Sequence, residues 1–321
     1  MLVRVMRSGL EESLHYGHVA VCDASGSVLA RAGEPEKLLF ARSAMKPLQA
    51  AVSLHAIGDD LPDDELAVAC ASHNGEAVHA GVVAALLGRG GFSEDDLGCP
   101  PSWPLDPGAA AGTTEERRLL HNCSGKHAAK LLACRRRGWE TRTYLDPAHP
   151  LQANIHRRVL SFTRLDEVSL GVDGCGSPVH GLPLKSLAVL YARFGGDKAV
   201  GDLAEPARRC TAAMRAHPYL VAGRERVETA LMEAASGIFV KGGSEGLLCA
   251  GVPERSLGIA VKVADGNSRA AGPALISVLR QRDVVDDGVV ELLAPHARPP
   301  VLGGGRAVGE LQAVVRLERK I

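Results

Sequence analysis

A serine and a lysine three residues apart, Ser43 and Lys46, are the first residues of the sequence whose types and spacing suit catalysis. A neutral lysine amine can take the proton of a serine hydroxyl, and Ser-x-x-Lys activates the nucleophile in several acyl-transfer enzymes. Pro47 follows, and proline is tolerated in the first turn of a helix, where the backbone N–H has no partner. The spacing therefore predicts a turn that enters a helix. The alternative interpretation is a serine near a helix cap beside a solvated lysine.

Further polar loops repeat one pattern, in which an apolar run ends in glycine and reactive side chains. Glycine permits close backbone approach to a ligand, while Ser, Lys, Cys, His and Asp supply nucleophiles, bases and metal ligands. Ordinary turns use similar residues, and we interpret 264–268 as a strand-to-helix turn capped by Asn267 or Ser268. The stretches are 71–76, 121–127, 172–178, 241–246 and 264–268.

The order of these elements is itself informative. Ser-x-x-Lys comes first, a second serine lies in a loop at Ser72, and Lys241 precedes two glycines beside a predicted strand. Serine β-lactamases and penicillin-binding proteins show a similar order, which ends in Lys-Thr-Gly. The loop around Ser72 reads Ser-His-Asn and so lacks the clear Ser-Asp-Asn of those enzymes.

Two cysteines in glycine-containing loops, Cys123 and Cys175, have more than one interpretation. They are candidate zinc ligands, although neither belongs to a Cys-x-x-Cys pair. They also fit a pair of small buried thiols. A third interpretation is a redox or nucleophilic cysteine with His127 as the nearby base.

Composition bounds the class of protein. The 321 residues are 46% hydrophobic, which is enough for one large core or for two lobes that share a cleft. Formal net charge is zero and aromatic residues are only 3%, so nucleic acid and anionic membranes are not expected partners and a small-molecule substrate is favoured. The N-terminus does not resemble a signal peptide, and eight scattered cysteines suit a reducing compartment, so we expect the cytoplasm.

Strands are predicted at both ends of the chain and helices in the middle. Alternating and apolar runs predict strands at 2–6, 18–22 and 28–30, and a run of antiparallel strands within 237–263. The segment 99–108 contains four prolines and predicts a long loop. This pattern predicts an α+β fold whose sheet is assembled from both termini. Helices are predicted near 47–57, 63–70, 76–88, 125–137, 148–163, 183–195, 202–216, 224–235 and 268–281.

Taken in order, five motifs resemble those of the rhizobial-type L-asparaginases, called class 3 or the thermolabile asparaginase II family. They span nearly the whole chain and are Arg-Ser-Ala-Met-Lys-Pro (42–47), Ala-Ser-His-Asn-Gly-Glu (71–76), His-Asn-Cys-Ser-Gly-Lys-His (121–127), Asp-Gly-Cys-Gly-Ser-Pro (173–178) and Lys-Gly-Gly-Ser-Glu-Gly (241–246). The resemblance implies a serine β-lactamase/glutaminase-like fold, with an antiparallel sheet flanked by helices, and a homodimer. We expect residues 1–321 to form a single domain of two lobes with the site between them.

The resemblance also assigns roles to residues. Lysine is an unusual zinc ligand because it must be neutral to bind the metal, so Lys126 is the least expected assignment on physical grounds. The implied catalytic pairs are Ser43 with Lys46 and Ser72 with Lys241, the implied zinc ligands are Cys123, Lys126 and Cys175, and the implied substrate-binding residues are Arg42, His127 and Asp173.

The resulting hypothesis is hydrolysis of the L-asparagine side-chain amide to L-aspartate and ammonia. Ser43 would attack the amide carbon with Lys46 as its base, and Ser72 with Lys241 would relay protons or donate to the oxyanion. One alternative is a glutaminase or a β-lactam-recognising hydrolase of the same fold. Another is a catalytically inactive, zinc-stabilised scaffold.

Overall fold

The computed structural model describes residues 1–58, 61–195 and 201–319. The chain divides into two compact units. The first comprises Met1–Ala44, Leu182–Arg193 and Ala230–Ile321, and the second comprises Met45–Gly181 and Phe194–Thr229. Within the described ranges, no helix is both long enough and apolar enough to cross a bilayer.

Helices and strands alternate in blocks along the chain. The strands are β1 (Val3–Arg7), β2 (Leu10–His15), β3 (Gly17–Asp23), β4 (Val28–Ala32), β5 (Leu38–Phe40), β6 (Ser169–Val172), β7 (Pro178–Pro183), β8 (Phe239–Gly243), β9 (Leu247–Val252), β10 (Leu257–Val263), β11 (Pro300–Gly303), β12 (Arg306–Ala313) and β13 (Glu318–Arg319). The helices are α1 (Lys46–Ile57), α2 (Asp63–Ala69), α3 (Ala77–Gly88), α4 (Pro107–Ala111), α5 (Ser124–Arg137), α6 (Pro150–Thr163), α7 (Leu184–Arg193), α8 (Ala204–Ala216), α9 (Pro218–Val221), α10 (Val227–Ala234), α11 (Ala271–Gln281), α12 (Asp287–Leu292) and α13 (Ala294–Ala297).

The first unit contains a six-stranded antiparallel sheet with the order β13-β4-β3-β10-β9-β8. N-terminal β3 pairs directly with C-terminal β10, with Ala20 opposite Ala260. Helix α7 packs on these two strands, and α11 packs on β9 and β10. The close approach of α7 requires Gly258, because a Cβ there would lie 1.9 Å from the carbonyl oxygen of Ala188.

A second sheet of the first unit has four strands in the order β11-β12-β1-β2. Its central pair again joins the two ends of the chain, since β1 is antiparallel to β12 with Val5 opposite Leu311. The predicted assembly of sheet from both termini is therefore confirmed, and so is the predicted α+β class with antiparallel sheet flanked by helices.

The second unit is built around α1, in which every residue except His55 is buried. Such a helix is surrounded on all sides, and α5, α6 and α8 pack against it. Lys46 is the first residue of α1, so its side chain starts inside this helical core. Pro47 occupies the first turn, as the sequence predicts.

Most predicted elements are observed. The predicted helices agree with α1–α3, α5–α8, α10 and α11 to within about three residues at each end. The predicted loop 99–108 is wrong at its end, because Asp106 caps α4 by accepting the Ala109 N–H at 2.7 Å. Asn267 caps the 3-10 turn Ser268–Ala270, as predicted. The elements that the sequence did not predict are β2, β5, β6, β7, α4, α9, α12, α13, β11, β12 and β13.

Candidate active site

The amine of Lys46 is the centre of a buried polar cluster in the second unit. Its side chain is 1% exposed. Nζ lies 2.6 Å from the carbonyl oxygen of Ala71, 2.8 Å from Ser72 Oγ and 3.1 Å from the carbonyl oxygen of Asn122. Two loops far apart in sequence therefore converge on one amine, and they are two of the loops that the sequence singles out.

Burial changes the proton affinity of this amine. Desolvation lowers the pKa of Lys46 from its ordinary value, and Lys126 lowers it further, while the thiols Cys123 and Cys175 oppose the change. The net effect favours the neutral amine.

Ser72 lies at the start of the loop 71–76, directly after α2. It is 7% exposed, and its backbone N–H donates to the carbonyl of Val221 at 3.0 Å. The side-chain hydroxyl is held against Lys46 as described above. Lys46 therefore has a serine partner that is distant in sequence, which the spacing of Ser43 and Lys46 alone does not reveal.

A second cluster is formed where α5 begins. Cys123 is the N-cap residue, and Lys126 and His127 follow in the first turn; all three are buried. Gly125 allows α5 to approach the end of α2, because a Cβ at this position would lie 2.2 Å from the carbonyl oxygen of Val68. This close packing fixes the first turn of α5 beside the loop that carries Ser72.

Cys175 is supplied by a hairpin loop. Strands β6 and β7 are antiparallel, and the Asp173 N–H donates to the Ser177 carbonyl at 2.9 Å to close the loop between them. Cys175 is 2% exposed, and Lys126 Nζ lies 2.9 Å from its sulfur. The structure thus brings Lys126 and Cys175 together across 49 residues of sequence.

The charges in this second cluster are coupled. The pKa of Cys123 is lowered well below its ordinary value, first by a hydrogen bond with Cys175 and then by the nearby amines of Lys46 and Lys126. Burial by itself lowers the pKa of Lys126, but the charges of Cys123 and Cys175 raise it to about 12. Lys126 and the two cysteines therefore interact electrostatically within one buried cluster.

This donor set fits a thiophilic metal such as zinc. Two thiols and an amine supply three soft or intermediate donors. Within the same residues, no group of three or more His, Cys, Asp or Glu side chains is arranged to hold a metal ion. A metal here would therefore need the lysine amine as its third donor.

His127 is held in place by Tyr144, which the sequence analysis did not single out. Its Nδ1 lies 2.6 Å from the Tyr144 hydroxyl, which also accepts the Gly98 N–H at 2.8 Å. Burial lowers the pKa of His127 to about 3, with Lys126 contributing in the same direction. The imidazole is therefore neutral at physiological pH. An isolated tyrosine outside any motif gave no sequence signal for this role.

Lys130 is a further buried amine that the motifs did not identify. It lies one turn beyond Lys126 on α5, is 0% exposed, and donates to Ser177 Oγ at 3.3 Å. Burial lowers its pKa to about 7, and Lys126 adds to the effect. The i, i+4 spacing of two lysines on one helix was the available signal.

The remaining predicted residues lie on other elements. Arg42 and Ser43 are half-buried in a short 3-10 turn, Arg42–Met45, that leads into α1. Arg42 has a φ of 45°, which costs a non-glycine residue on the order of 1 kcal/mol and often marks a functional turn. Lys241 lies on β8, is 1% exposed, and donates to the Gly242 carbonyl at 2.8 Å. Asp173 accepts the Gly174 N–H at 2.9 Å.

Residues 3–313 match the family model described as L-asparaginase II. The comparison with curated proteins found no match. Among solved structures, the chain is similar to Mglu in its native form, with 14% identity and a TM-score of 0.46; the match covers 84% of this chain and 65% of that one. It is also similar to a β-lactamase from Mycobacterium bovis, with 15% identity and a TM-score of 0.39, over 84% of this chain and 95% of the other. The α+β fold class rests on the helices and antiparallel sheets described above.

Proposed function

The chain belongs to the L-asparaginase II family and is an asparaginase-type amidohydrolase, and on that premise we propose that it hydrolyses L-asparagine to L-aspartate and ammonia through a serine acyl-enzyme. The observation that carries the mechanistic part is the amine of Lys46. It is buried, its pKa is lowered, and its partners are two carbonyl oxygens and a serine hydroxyl.

In the proposed mechanism Lys46 is the general base and Ser43 is the nucleophile. The neutral amine takes the Ser43 proton as the oxygen attacks the side-chain amide carbon, the proton passes to the leaving ammonia, and water then hydrolyses the ester. Ser72 supports the reaction because its hydroxyl already contacts the base at 2.8 Å. Lys241 is proposed as the partner of Ser72, and Arg42, His127 and Asp173 as groups that bind the substrate.

The contact between Lys46 and Ser72 also favours a second arrangement, in which Ser72 is the nucleophile and Ser43 supports it. Replacing each serine by alanine separates the two. The nucleophile's variant loses the acyl-enzyme altogether, whereas the supporting serine's variant keeps it and forms it more slowly.

We further propose that Cys123, Lys126 and Cys175 hold one zinc ion. When bound to two thiolates and an amine, zinc would supply positive charge and structural order near the base rather than a reactive hydroxide. The chain's own contribution is to keep both thiols and the amine buried within one cluster. Homodimeric assembly and a cytoplasmic location stay predictions from the sequence.

The test of the proposed function is ammonia release from L-asparagine and L-glutamine by the purified protein, with a chromogenic β-lactam as a third substrate. A preference for asparagine supports the proposal. Equal specificity constants for the two amides would favour the glutaminase alternative, and bound zinc without turnover of any of the three would favour the inactive scaffold.

A further inference from the structure

His73, the residue after Ser72, is fully buried and connects the two loops that hold Lys46. The Gly75 N–H donates to its Nδ1 at 3.1 Å, so Nδ1 carries no hydrogen and Nε2 carries it in the neutral ring. Nε2–H therefore donates to Ser124 Oγ at 2.9 Å, and the Ser124 hydroxyl donates to the carbonyl of Leu119 at 2.9 Å. The hydrogen bonds thus run in one direction from the loop 71–76 into the segment before α5.

The two ends of this bridge are the two places that hold the Lys46 amine. On one side, Ala71 and Ser72 provide two of the three described oxygen atoms that contact it. On the other side, Asn122 provides the third, two residues before Ser124. A relative shift of the two loops by one ångström would lengthen at least one of these contacts beyond hydrogen-bond range.

The ring orientation of His73 is also fixed by packing. His73 stacks on His79, with ring centroids 5.0 Å apart and planes 12° apart, and His79 stacks on Tyr219 at 5.7 Å. A ring held on its face by this stack cannot easily rotate away from Ser124.

We propose that His73 is a positioning residue, whose hydrogen bond to Ser124 keeps the loops 71–76 and 121–123 in register so that Ser72 Oγ stays within reach of Lys46 Nζ. The catalytic consequence rests on the proposed function, because it requires the base and the serine to act in turnover. The geometric consequence does not depend on the reaction.

The test compares His73→Leu, which removes the bridge, with His73→Gln, whose amide can still donate an N–H to Ser124. Ser124→Ala removes the acceptor and completes a double-mutant cycle. The matched control is His149→Gln, because His149 is buried and makes the same local bonds: its Nδ1 accepts the N–H of Leu151 at 3.1 Å and its Nε2 donates to the carbonyl of Glu140 at 2.8 Å.

The first readout is crystallographic. In His73→Leu, the distance between Lys46 Nζ and Ser72 Oγ should increase from 2.8 Å to beyond hydrogen-bond range, and it should be unchanged in His149→Gln. A well-ordered His73→Leu or Ser124→Ala crystal with the original distance would overturn the inference. Since this measurement needs no substrate, it stands even if asparagine is not the substrate.

The second readout is kinetic, on L-asparagine and on the activated ester 4-nitrophenyl acetate, with rates corrected for the folded fraction. His73→Leu should lower kcat by about 10²-fold with little change in KM, because misplacement by about an ångström costs that much. His73→Gln should recover part of the loss, and Ser124→Ala should add little to His73→Leu. If the decreases in kcat of His73→Leu and Ser124→Ala added in the double variant, or if His73→Leu lost no more activity than His149→Gln, His73 would have only a structural role. Loss of ester hydrolysis in a protein that never hydrolyses asparagine would support His73 and refute the proposed function.

Discussion

Replacing Lys130 by methionine should stabilise the fold at neutral pH. The lysine is completely buried, and among the described residues its one hydrogen bond is the 3.3 Å contact with Ser177. Burial, with Lys126 nearby, lowers its pKa from 10.5 to about 7. Methionine has a similar length and no charge, so it can occupy the same space on α5.

The expected magnitude follows from the two pKa values. The unfolded chain holds this proton up to about pH 10.5 and the folded chain releases it near pH 7, so the unfolded state binds more protons between these values. The titration of Lys130 therefore makes the stability of the wild-type protein rise with pH between about 7 and 10.5. The two pKa values differ by about 3.5, and a difference of one in pKa corresponds to about 1.4 kcal/mol. Burying the charged lysine therefore lowers the free energy of unfolding by at most roughly 5 kcal/mol. Leaving Ser177 without its partner costs about 1–3 kcal/mol, so a net gain of roughly 2–4 kcal/mol is expected at pH 7.

Urea unfolding at pH 7, 8 and 9 measures this prediction. The advantage of Lys130→Met over wild type should be largest near pH 7 and should shrink as pH rises. Leu131→Met on the same helix is the control, because Leu131 is also buried and its side chain does not titrate. The difference in unfolding free energy between this variant and wild type should not depend on pH. A Lys130→Met protein that is less stable at pH 7, by an amount constant with pH, would refute the reasoning.

Four further predictions concern the proposed function. Lys46→Arg keeps the charge but removes the base. Turnover should therefore fall by about 10²–10⁴-fold, nearly as far as in Ser43→Ala, while KM changes less. Retention of most activity in steady-state assays would show that the mechanism is wrong. Since burial lowers the pKa of Lys46, wild-type activity should rise with pH as the amine loses its proton. The rise should be complete below the ordinary lysine pKa of about 10.4. A flat pH–rate profile would contradict this prediction. About one zinc per chain is expected by metal analysis, and Cys123→Ser and Cys175→Ser should lose it; normal occupancy in both variants would exclude these ligands. Asparagine should be preferred to glutamine by about 10²-fold in kcat/KM, because one extra methylene misplaces the amide carbon, and comparable values would count against a site shaped for asparagine.

Much of the fold was predictable because the elements follow periodic patterns. The central helix α1 has a proline in its first turn and an apolar sequence around it, and β3 and β10 are short apolar runs that sheets bury. Strand β2 was not predicted because Leu10 and the two glutamates after it are exposed, so hydrophobicity does not alternate. Strand β12 was missed for a related reason, since most of its residues are half-buried or exposed.

The site was predictable as a set of loops but not as a set of contacts. Glycine and reactive side chains marked the loops of Ser72, Cys123 and Cys175, because such loops must approach a ligand closely. Spacing, however, reports only local neighbours. It linked Lys46 to Ser43, whereas the contact with Ser72 spans 26 residues and arises from the packing of α1. Whether Ser43 or Ser72 carries the acyl group is the question that this contact raises.

Trapping the covalent intermediate answers that question most directly. Wild-type protein mixed with excess L-asparagine, quenched in acid within one turnover and digested, can be searched by mass spectrometry for an aspartyl ester. We expect the ester on the peptide that contains Ser43, no ester in Ser43→Ala, and slow accumulation in Lys46→Arg. An ester on Ser72, or steady release of ammonia with no ester on either serine, would contradict the proposed mechanism.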